Sequence, residues 1–491
     1  MPKLTIRQNS AASELIFEGA PILGDLLGTD AQHPCGGRGV CGKCAVEVSG
    51  CVSEPNDAEK KAGTRLSCQV VLLGDAEVIL PDKKVMEQIE TSGGDALTAS
   101  APMEGRLGAA IDIGTTTMAL RLYDLKTGAQ IGDSAMLNPQ TSIAADVMGR
   151  IGAALNGSLE TLQQQVQSAI RALIDEACAK AEKTADEVDS LVVTGNTTML
   201  YLLTGRNPES LSHAPFEADC LFGSTEMLLD RTCCLPACMN AFVGADITCA
   251  LLESGQCERD EVSLLCDIGT NGEIALWKNG ELFVTSTAAG PAFEGAGISC
   301  GCSSVRGAID RVWAENGALH IRTIGEAEAV GICGSGLIDA IAASLSLELI
   351  DETGAMDDDE IELAPGVALQ PKDVRAVQLA KAAIAAGIET LLETANISPS
   401  EVSTLYIAGG FGNHLDVNSA AAIGLIPVEL SSRVKTIGNA SLAGASRLLL
   451  DQNAMRTAQE IAEKSQHVNL GGNPKFNEHY IDQMLFPENE L

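Results

Sequence analysis

Two stretches of this chain are built to one pattern: "LGAAIDIGTTTMALRLYDLKTG" from Leu107 and "VSLLCDIGTNGEIALWKNGEL" from Val262. Each runs an apolar strand into Asp-Ile-Gly-Thr and adds a cluster of Thr or Asn. Each then returns as a second alternating strand, closed by a turn at Lys126–Gly128 or Lys278–Gly280. The pattern predicts two β-hairpins with hydroxyl-rich tips. Backbone N–H groups and Thr hydroxyls at such a tip suit phosphate oxygens. The leading carboxylates, Asp112 and Asp267, suit Mg²⁺, mostly through water, because that ion keeps part of its hydration shell. Two such hairpins facing one another would grip a triphosphate from both sides. Asp112, Gly114, Thr115, Thr116 and Thr117 form one jaw; Asp267, Gly269, Thr270 and Asn271 form the other.

Further along, "STLYIAGGFGNHLD" reads as a strand over 405–408, a Gly409-Gly410 turn and a helix start. Glycines there allow a nucleoside to approach the backbone closely. "VGICGSGLIDA" and "GNASLAGA" have the same form, which puts Gly334 and Gly336 among the candidate nucleotide contacts; tight helix–strand packing is the plainer account of both stretches.

Sixteen cysteines are not spread as a disulfide framework, for five fall between Cys35 and Cys68 and the next is Cys178. The clustering reads as metal chemistry. Cys35, Cys41 and Cys44 lie close together, with spacings of five and two residues, and Cys68 follows after 23 more. Three near thiolates and one distant one is the arrangement of a ferredoxin [2Fe–2S] site, although the plant-type first spacing is four. Gly36, Gly37, Gly39 and Gly42 fit a loop that must bend round a cluster. A structural zinc site also takes four thiolates, but it usually brings them as two CxxC pairs, and only one is present. Cys51 rivals Cys68 as the fourth ligand; Cys68 is preferred because "RLSCQ" reads as a strand start facing the loop. His33, beside the loop, reads as a surface residue. Short strands "KLTIRQ", "ELIFEG", "CAVEVSG" and "AEVILP", with a helix near 56–62, predict a β-grasp ferredoxin-like domain over residues 1–81. Residues 82–107, rich in small and polar side chains, read as a flexible linker.

The net charge of −34 disfavours nucleic acid and anionic membrane surfaces as partners. Neither an N-terminal signal core nor an apolar run long enough to span a bilayer is apparent, so a cytoplasmic protein is expected. The 45% hydrophobic content is ample for large cores, and scarce aromatics with 49 glycines suit turn-rich α/β structure.

The two hairpins and the Gly-Gly turn, in that order, resemble the phosphate-1, phosphate-2 and adenosine motifs of the acetate and sugar kinase/heat-shock chaperone/actin superfamily. With the cysteine-rich head, and with "VTGNTTM", "FVGADI", "GPAFEGAGISCG" and "VQLAKAAIAAGI", the chain resembles the reductive activators of corrinoid proteins over nearly its whole length. The resemblance implies a two-lobed actin-like ATPase of duplicated ribonuclease H-like subdomains over 108–491, with lobe I about 108–260 and lobe II about 261–491. It implies ATP, Mg²⁺ and a [2Fe–2S] cluster as cofactors. Gly409, Gly410 and Phe411 would lie against adenosine, and Asp112 and Asp267 would hold the metal. Asp246, at the start of a helix, would orient or deprotonate the attacking water; an N-cap carboxylate is its plainer role. Larger family members carry a middle domain resembling a dimerisation unit, for which the linker has no room, so a homodimer is left open.

A plant-type cluster near −400 mV would be asked to reduce Co(II) corrinoid, which the resemblance implies is harder still to reduce. Each ~59 mV uphill costs tenfold for one electron. ATP helps only by favouring a conformation with different affinities for the oxidised and reduced partner. The expected function is therefore one-electron, ATP-dependent reduction of a corrinoid protein of a methyltransferase system to Co(I), fed by an upstream low-potential electron donor. The alternatives are an activator of a 2-hydroxyacyl-CoA dehydratase, a small-molecule kinase, and a non-enzymatic cluster-bearing sensor.

Overall fold

The computed structural model describes residues 1–8, 11–27, 39, 44–80, 99–409 and 414–488. They divide into two compact units. One comprises Met1–Val85, Leu137–Ala169 and Tyr201–Ala214; the other comprises Met86–Met136, Ile170–Leu200 and Pro215–Leu491.

In the first unit, strands β1 (Lys3–Gln8), β2 (Ala11–Ile16), β3 (Ala45–Val52), β4 (Arg65–Leu66) and β5 (Leu72–Ile79) form one sheet, in the order β2-β1-β5-β3-β4. The β1–β5 pair is parallel and the others are antiparallel, as a β-grasp domain would have it. Strand alternation sends Leu4, Val46, Leu72 and Val78 to one face, where they bury with Phe17 and with Leu23 and Leu27 of helix α1 (Leu23–Leu27). Helix α2 (Asp57–Ala62) starts at a capping box: Asn56 Oδ1 accepts from the Glu59 N–H, and Glu59 Oε2 accepts from the Asn56 N–H, each at 3.0 Å. The other oxygen of Glu59 accepts from Arg65 Nε at 2.9 Å and from the Leu66 N–H at 3.1 Å, which pins β4 to the helix. The strand expected to carry Cys68 stops at Leu66, and Cys68 sits in the turn that follows. Helix α3 (Val147–Ala153), capped by Asp146, also belongs to this unit. Helices α4 (Leu159–Lys180) and α5 (Thr197–Thr204) follow it in the chain.

The second unit is built on two six-stranded sheets. Strands β6 (Leu107–Ile113), β7 (Thr117–Asp124), β8 (Gln130–Leu137), β9 (Val188–Gly195), β10 (Ser224–Leu228) and β11 (Arg231–Leu235) order as β10-β11-β9-β6-β7-β8. The second sheet draws on β12 (Ser263–Ile268), β13 (Gly272–Lys278) and β14 (Glu281–Thr287). After a three-stranded sheet of β15 (Ala308–Glu315), β16 (Ala318–Thr323) and β17 (Gly331–Ile332), and a ribbon of β18 (Ile361–Ala364) and β19 (Val367–Leu369), it is completed by β20 (Thr404–Ala408), β21 (Val434–Gly438) and β22 (Ser465–His467). Its order is β21-β20-β12-β13-β14-β22. Each large sheet thus has an antiparallel meander, β6-β7-β8 or β12-β13-β14, whose first strand pairs in parallel with β9 or β20. The duplicated phrase is a duplicated sheet.

β6 and β12 are apolar because both their faces are covered. The one residue of each left partly exposed is Asp112 in β6 and Asp267 in β12. Helices α6 (Ala245–Ser254) and α10 (Ala440–Leu450) share a core with Ala110, Ala119 and Val192 of the first sheet and with Leu265, Ala275 and Trp277 of the second. At Gly444 in α10, a Cβ would stand 2.0 Å from the Cys249 carbonyl oxygen of α6, so only glycine lets the two helices approach. α10, allotted by position to the second lobe, is therefore also part of the first lobe's core. On the far side of β12 and β13, α7 (Gly334–Ser346) and α8 (Pro371–Thr394) bury Leu264, Cys266, Ile274 and Leu276. The short helix α9 (Val417–Ala422), and α11 (Ala454–Lys464) and α12 (Pro474–Asp482), complete the chain.

The segment read as linker is anchored over its last residues. Met103 is buried and its N–H donates to the Leu449 carbonyl at 2.9 Å, Ala101 bridges to Asp451, and Arg106 pairs with Asp189 at 3.0 Å. Residues 82–98 of it lie outside the described residues. No helix among the described residues is long and apolar enough to cross a membrane.

Candidate functional site

Both hairpin tips open into one cleft of the second unit, which is open to solvent at its mouth. In the first hairpin, Ile113 pairs with Met118 and the tip between them carries Gly114, Thr115, Thr116 and Thr117. A Cβ on Gly114 would lie 2.7 Å from the Thr117 carbonyl, so the tip closes only with glycine there. In the second hairpin, Ile268 pairs with Gly272 around Gly269, Thr270 and Asn271. All seven of these tip residues line the cleft. The tips are joined by a residue that the sequence reading quoted without assigning a role. Glu294 Oε2 accepts from the Thr116 hydroxyl and Oε1 from the Thr270 hydroxyl, each at 2.6 Å.

Asp112, Asp246, Asp267 and Glu273 meet at the floor. Asp246 lies in the first turn of α6, whose N-cap is Gly244, so the N-cap reading of Asp246 is corrected. Its Oδ1 accepts from the Ile247 N–H at 2.8 Å. Asp267 faces Glu273 across the β12–β13 register. Burial and then the neighbouring charges of Asp267 and Asp112 push the Asp246 carboxyl up to about 8. Burial and the charge of Asp112 push Asp267 up to about 7. Burial raises Asp112 to about 6, restrained by hydrogen bonds from Asn439 Nδ2 and the Ser441 hydroxyl, both at 3.1 Å. Glu273 is raised by burial and by Asp246 and Asp267. Carboxylates that resist ionising beside one another are stabilised in their charged form by a divalent cation. Among the described residues, no three His, Cys, Asp or Glu side chains form a ready-made direct shell. An ion that keeps several of its waters, as Mg²⁺ does, fits that set.

Gly409 and Gly334 line the cleft as expected. Gly409 has φ 96°, and a Cβ there would stand 2.7 Å from Asp267 Oδ1. Gly336 does not line it. A Cβ on Gly336 would come within 2.2 Å of the Ile309 carbonyl, so this glycine serves the packing of α7 on β15, the plainer of its two readings. Gly410 and Phe411 lie outside the described residues. The sequence reading missed Asn196, Glu273, Glu294, Asn439 and Ser441. Glu273 could have been found from hairpin register alone, since a three-residue tip sets it opposite Asp267. Asn196, whose Nδ2 donates to the Thr115 hydroxyl at 3.2 Å, stands in the quoted "VTGNTTM".

In the first unit, Cys44 and Cys68 are buried with their Sγ atoms 3.3 Å apart, whereas Cys51 is exposed on β3. Two thiolates on one tetrahedral metal stand about 3.7 Å apart for a metal–sulfur bond near 2.3 Å, so the pair fits one side of a cluster. Cys35 and Cys41, like His33, lie outside the described residues. Glu59 holds Leu66 in place, and the Ser67 N–H donates to the Cys44 carbonyl at 2.8 Å, which sets Cys68 beside Cys44. The described cysteines are all free thiols.

Three family models match the chain. One described as a 2Fe-2S iron-sulfur cluster binding domain matches residues 18–73, one described as the RACo middle region matches 107–258, and one described as the C-terminal domain of RACo, the ASKHA domain, matches 261–491. The middle-region match falls on the first six-stranded sheet, within the residues expected to form lobe I. The chain is 35% identical over 422 residues to the corrinoid activation enzyme RamQ of Eubacterium limosum, covering 78% of this chain and 71% of that protein. It is 27% identical over 421 residues to the [Co(II) methylated amine-specific corrinoid protein] reductase of Methanosarcina barkeri, covering 77% of each. A solved structure of a reductive activator for a corrinoid, iron-sulfur protein superimposes with a TM-score of 0.72 at 26% identity, covering 100% of this chain and 99% of that one.

Proposed function

This chain belongs to the family of reductive activators of corrinoid proteins, and from that premise we propose that it reduces the Co(II) of a corrinoid protein to Co(I) by one electron, at the cost of ATP. The cobalt partner serves a methyltransferase system, and an upstream low-potential donor refills the electron. The carrying observation is the cleft: two matched hairpins and the first turn of α6 bring Asp112, Asp267 and Asp246 together in a chain that also buries a thiol pair in a ferredoxin-like sheet. When bound, the [2Fe–2S] group supplies single electrons, and Mg²⁺·ATP supplies the free energy for a change of conformation.

The residues have separable tasks. Cys35, Cys41, Cys44 and Cys68 hold the cluster. Thr115, Thr116 and Thr117 on one tip, and Thr270 and Asn271 on the other, bind phosphate oxygens; Asp112 and Asp267 orient the metal's waters. Asn439 and Ser441 fix both oxygens of Asp112, so its orientation depends on α10 and thus on the helix pair shared by the two sheets. Asp246, anchored through Oδ1, leaves Oδ2 to hold the attacking water and take its proton. Gly334 and Gly409 line the cleft, and the adenosine role of Gly410 and Phe411 rests on the sequence motif they share with Gly409. Because α6 and α10 contact both sheets, closure of the tips on nucleotide reaches the whole unit, which is how ATP state alters the affinity for the cobalt partner. The described cysteines form no disulfide among themselves, which suits a protein of the reducing cytoplasm.

The test mixes the purified, cluster-loaded protein with a chemical reductant, Mg²⁺·ATP and a Co(II) corrinoid protein, and follows the cobalt absorption. Co(I) should accumulate with ATP and stay at a trace level without it. Equal Co(I) in both arms, or none in either, would refute the reading.

A further inference from the structure

Thr116 and Thr270 stand on opposite hairpin tips and donate to one carboxylate, that of Glu294, at 2.6 Å each. A hydroxyl has a single proton to donate. A phosphate oxygen that takes either hydrogen bond must therefore displace Glu294. The two groups are also both acidic, in a cleft that already holds Asp112, Asp246 and Asp267, and like charges at close range repel.

From this geometry we infer that Glu294 is a built-in competitor of the nucleotide's phosphates: its carboxylate takes the hydroxyl pair that the phosphates use, and nucleotide entry turns it out. The inference rests on the reading that the cleft binds ATP. The backbone around Glu294 suits such a movement. It closes a short 3-10 turn, Pro291–Glu294, between Gly290 at φ 78° and Gly295 at φ 75°, with Gly297 at φ 80° beyond. A Cβ on Gly290 or Gly297 would meet nothing within 4 Å, so those two glycines are required for their backbone angle and not for room, whereas a Cβ on Gly295 would stand 2.5 Å from the Cys302 carbonyl oxygen. Farther along the same segment Cys302, Ser303 and Ser304 line the cleft. Displacing Glu294 therefore carries the nucleotide state into residues 290–304. It also sets the affinity: apparent binding is weakened by the fraction of molecules whose hydroxyls are held by Glu294.

The experiment measures Kd for ATP and for adenosine, with Mg²⁺ present, by calorimetry on the full chain and on the Glu294→Gln and Glu294→Ala variants, along with KM and kcat for ATP hydrolysis. Both variants should bind ATP about tenfold tighter, with KM lowered in step and adenosine affinity unchanged, because adenosine makes no claim on the hydroxyls. Unchanged or weaker ATP binding in the variants, with wild type binding normally, overturns the inference alone; the weaker case would make Glu294 a ligand of the nucleotide complex. Loss of adenosine affinity in both variants overturns it by marking the residue as structural. A wild-type protein that binds neither nucleotide nor nucleoside removes the ATP reading, and the inference with it.

Discussion

Removing one charge from the floor of the cleft should stabilise the metal-free protein, and do so more as pH rises. Asp246 ionises at 3.8 in the ordinary state and at about 8 in the fold. The sign follows from linkage: below 3.8 the carboxyl is neutral in both states, and the penalty for burying it accrues as pH climbs from there to about 8. At about 1.36 kcal/mol per pH unit, it reaches roughly 5 kcal/mol by pH 8 and roughly 2 kcal/mol at pH 5. Asp246→Asn keeps an acceptor for the Ile247 N–H, but its new N–H₂ must find a partner, which costs about 1–3 kcal/mol if it does not. The expected net gain is therefore about 2–4 kcal/mol at pH 8 and near zero at pH 5. The chain's two tryptophans, Trp277 and Trp313, both lie in the second unit, and Trp277 is in the core shared by α6 and α10. Tryptophan fluorescence during urea unfolding in EDTA thus reports that unit alone. Wild type should lose stability between pH 5 and 8, and the variant should lose clearly less, since Asp112, Asp267 and Glu273 still ionise against burial in it. A variant equally or less stable at pH 8, or a wild type indifferent to pH over this range, would refute the electrostatic account.

Further outcomes follow from single distances. Cys68→Ser should abolish the cluster's visible absorption while leaving ATP affinity within about twofold, and Cys51→Ser should leave the absorption intact; a cluster that survives loss of Cys68 and not of Cys51 would reverse the ligand assignment. Gly444→Ala puts a methyl 2.0 Å from the Cys249 carbonyl, so it should lower the stability of the tryptophan-reported transition by about 1–3 kcal/mol, whereas a melting temperature unchanged from wild type would mean that α6 and α10 have room to spare.

The local pieces were legible in the sequence because each depends on short-range rules. Two-residue alternation and turn chemistry located both hairpins. Spacing located the thiols, and the capping pair Asn56 and Glu59 bounds the helix beside Cys68. The position of Asp246 at the beginning of a helix was likewise readable, although not that Gly244 takes the cap and frees its carboxyl for the cleft. Gly336 and Gly334, two residues apart in one motif, could not be told apart, since their difference is which neighbour a Cβ would strike. The tertiary structure alone decided the partnerships. Asn439 and Ser441 reach Asp112 from 327 and 329 residues away, and Glu294 reaches Thr116 across 178. No periodicity records those meetings, because they arise from how α10 packs on α6 and how two sheets bury a common core. The chain's order thus specifies which jaws exist; long-range packing determines what stands between them.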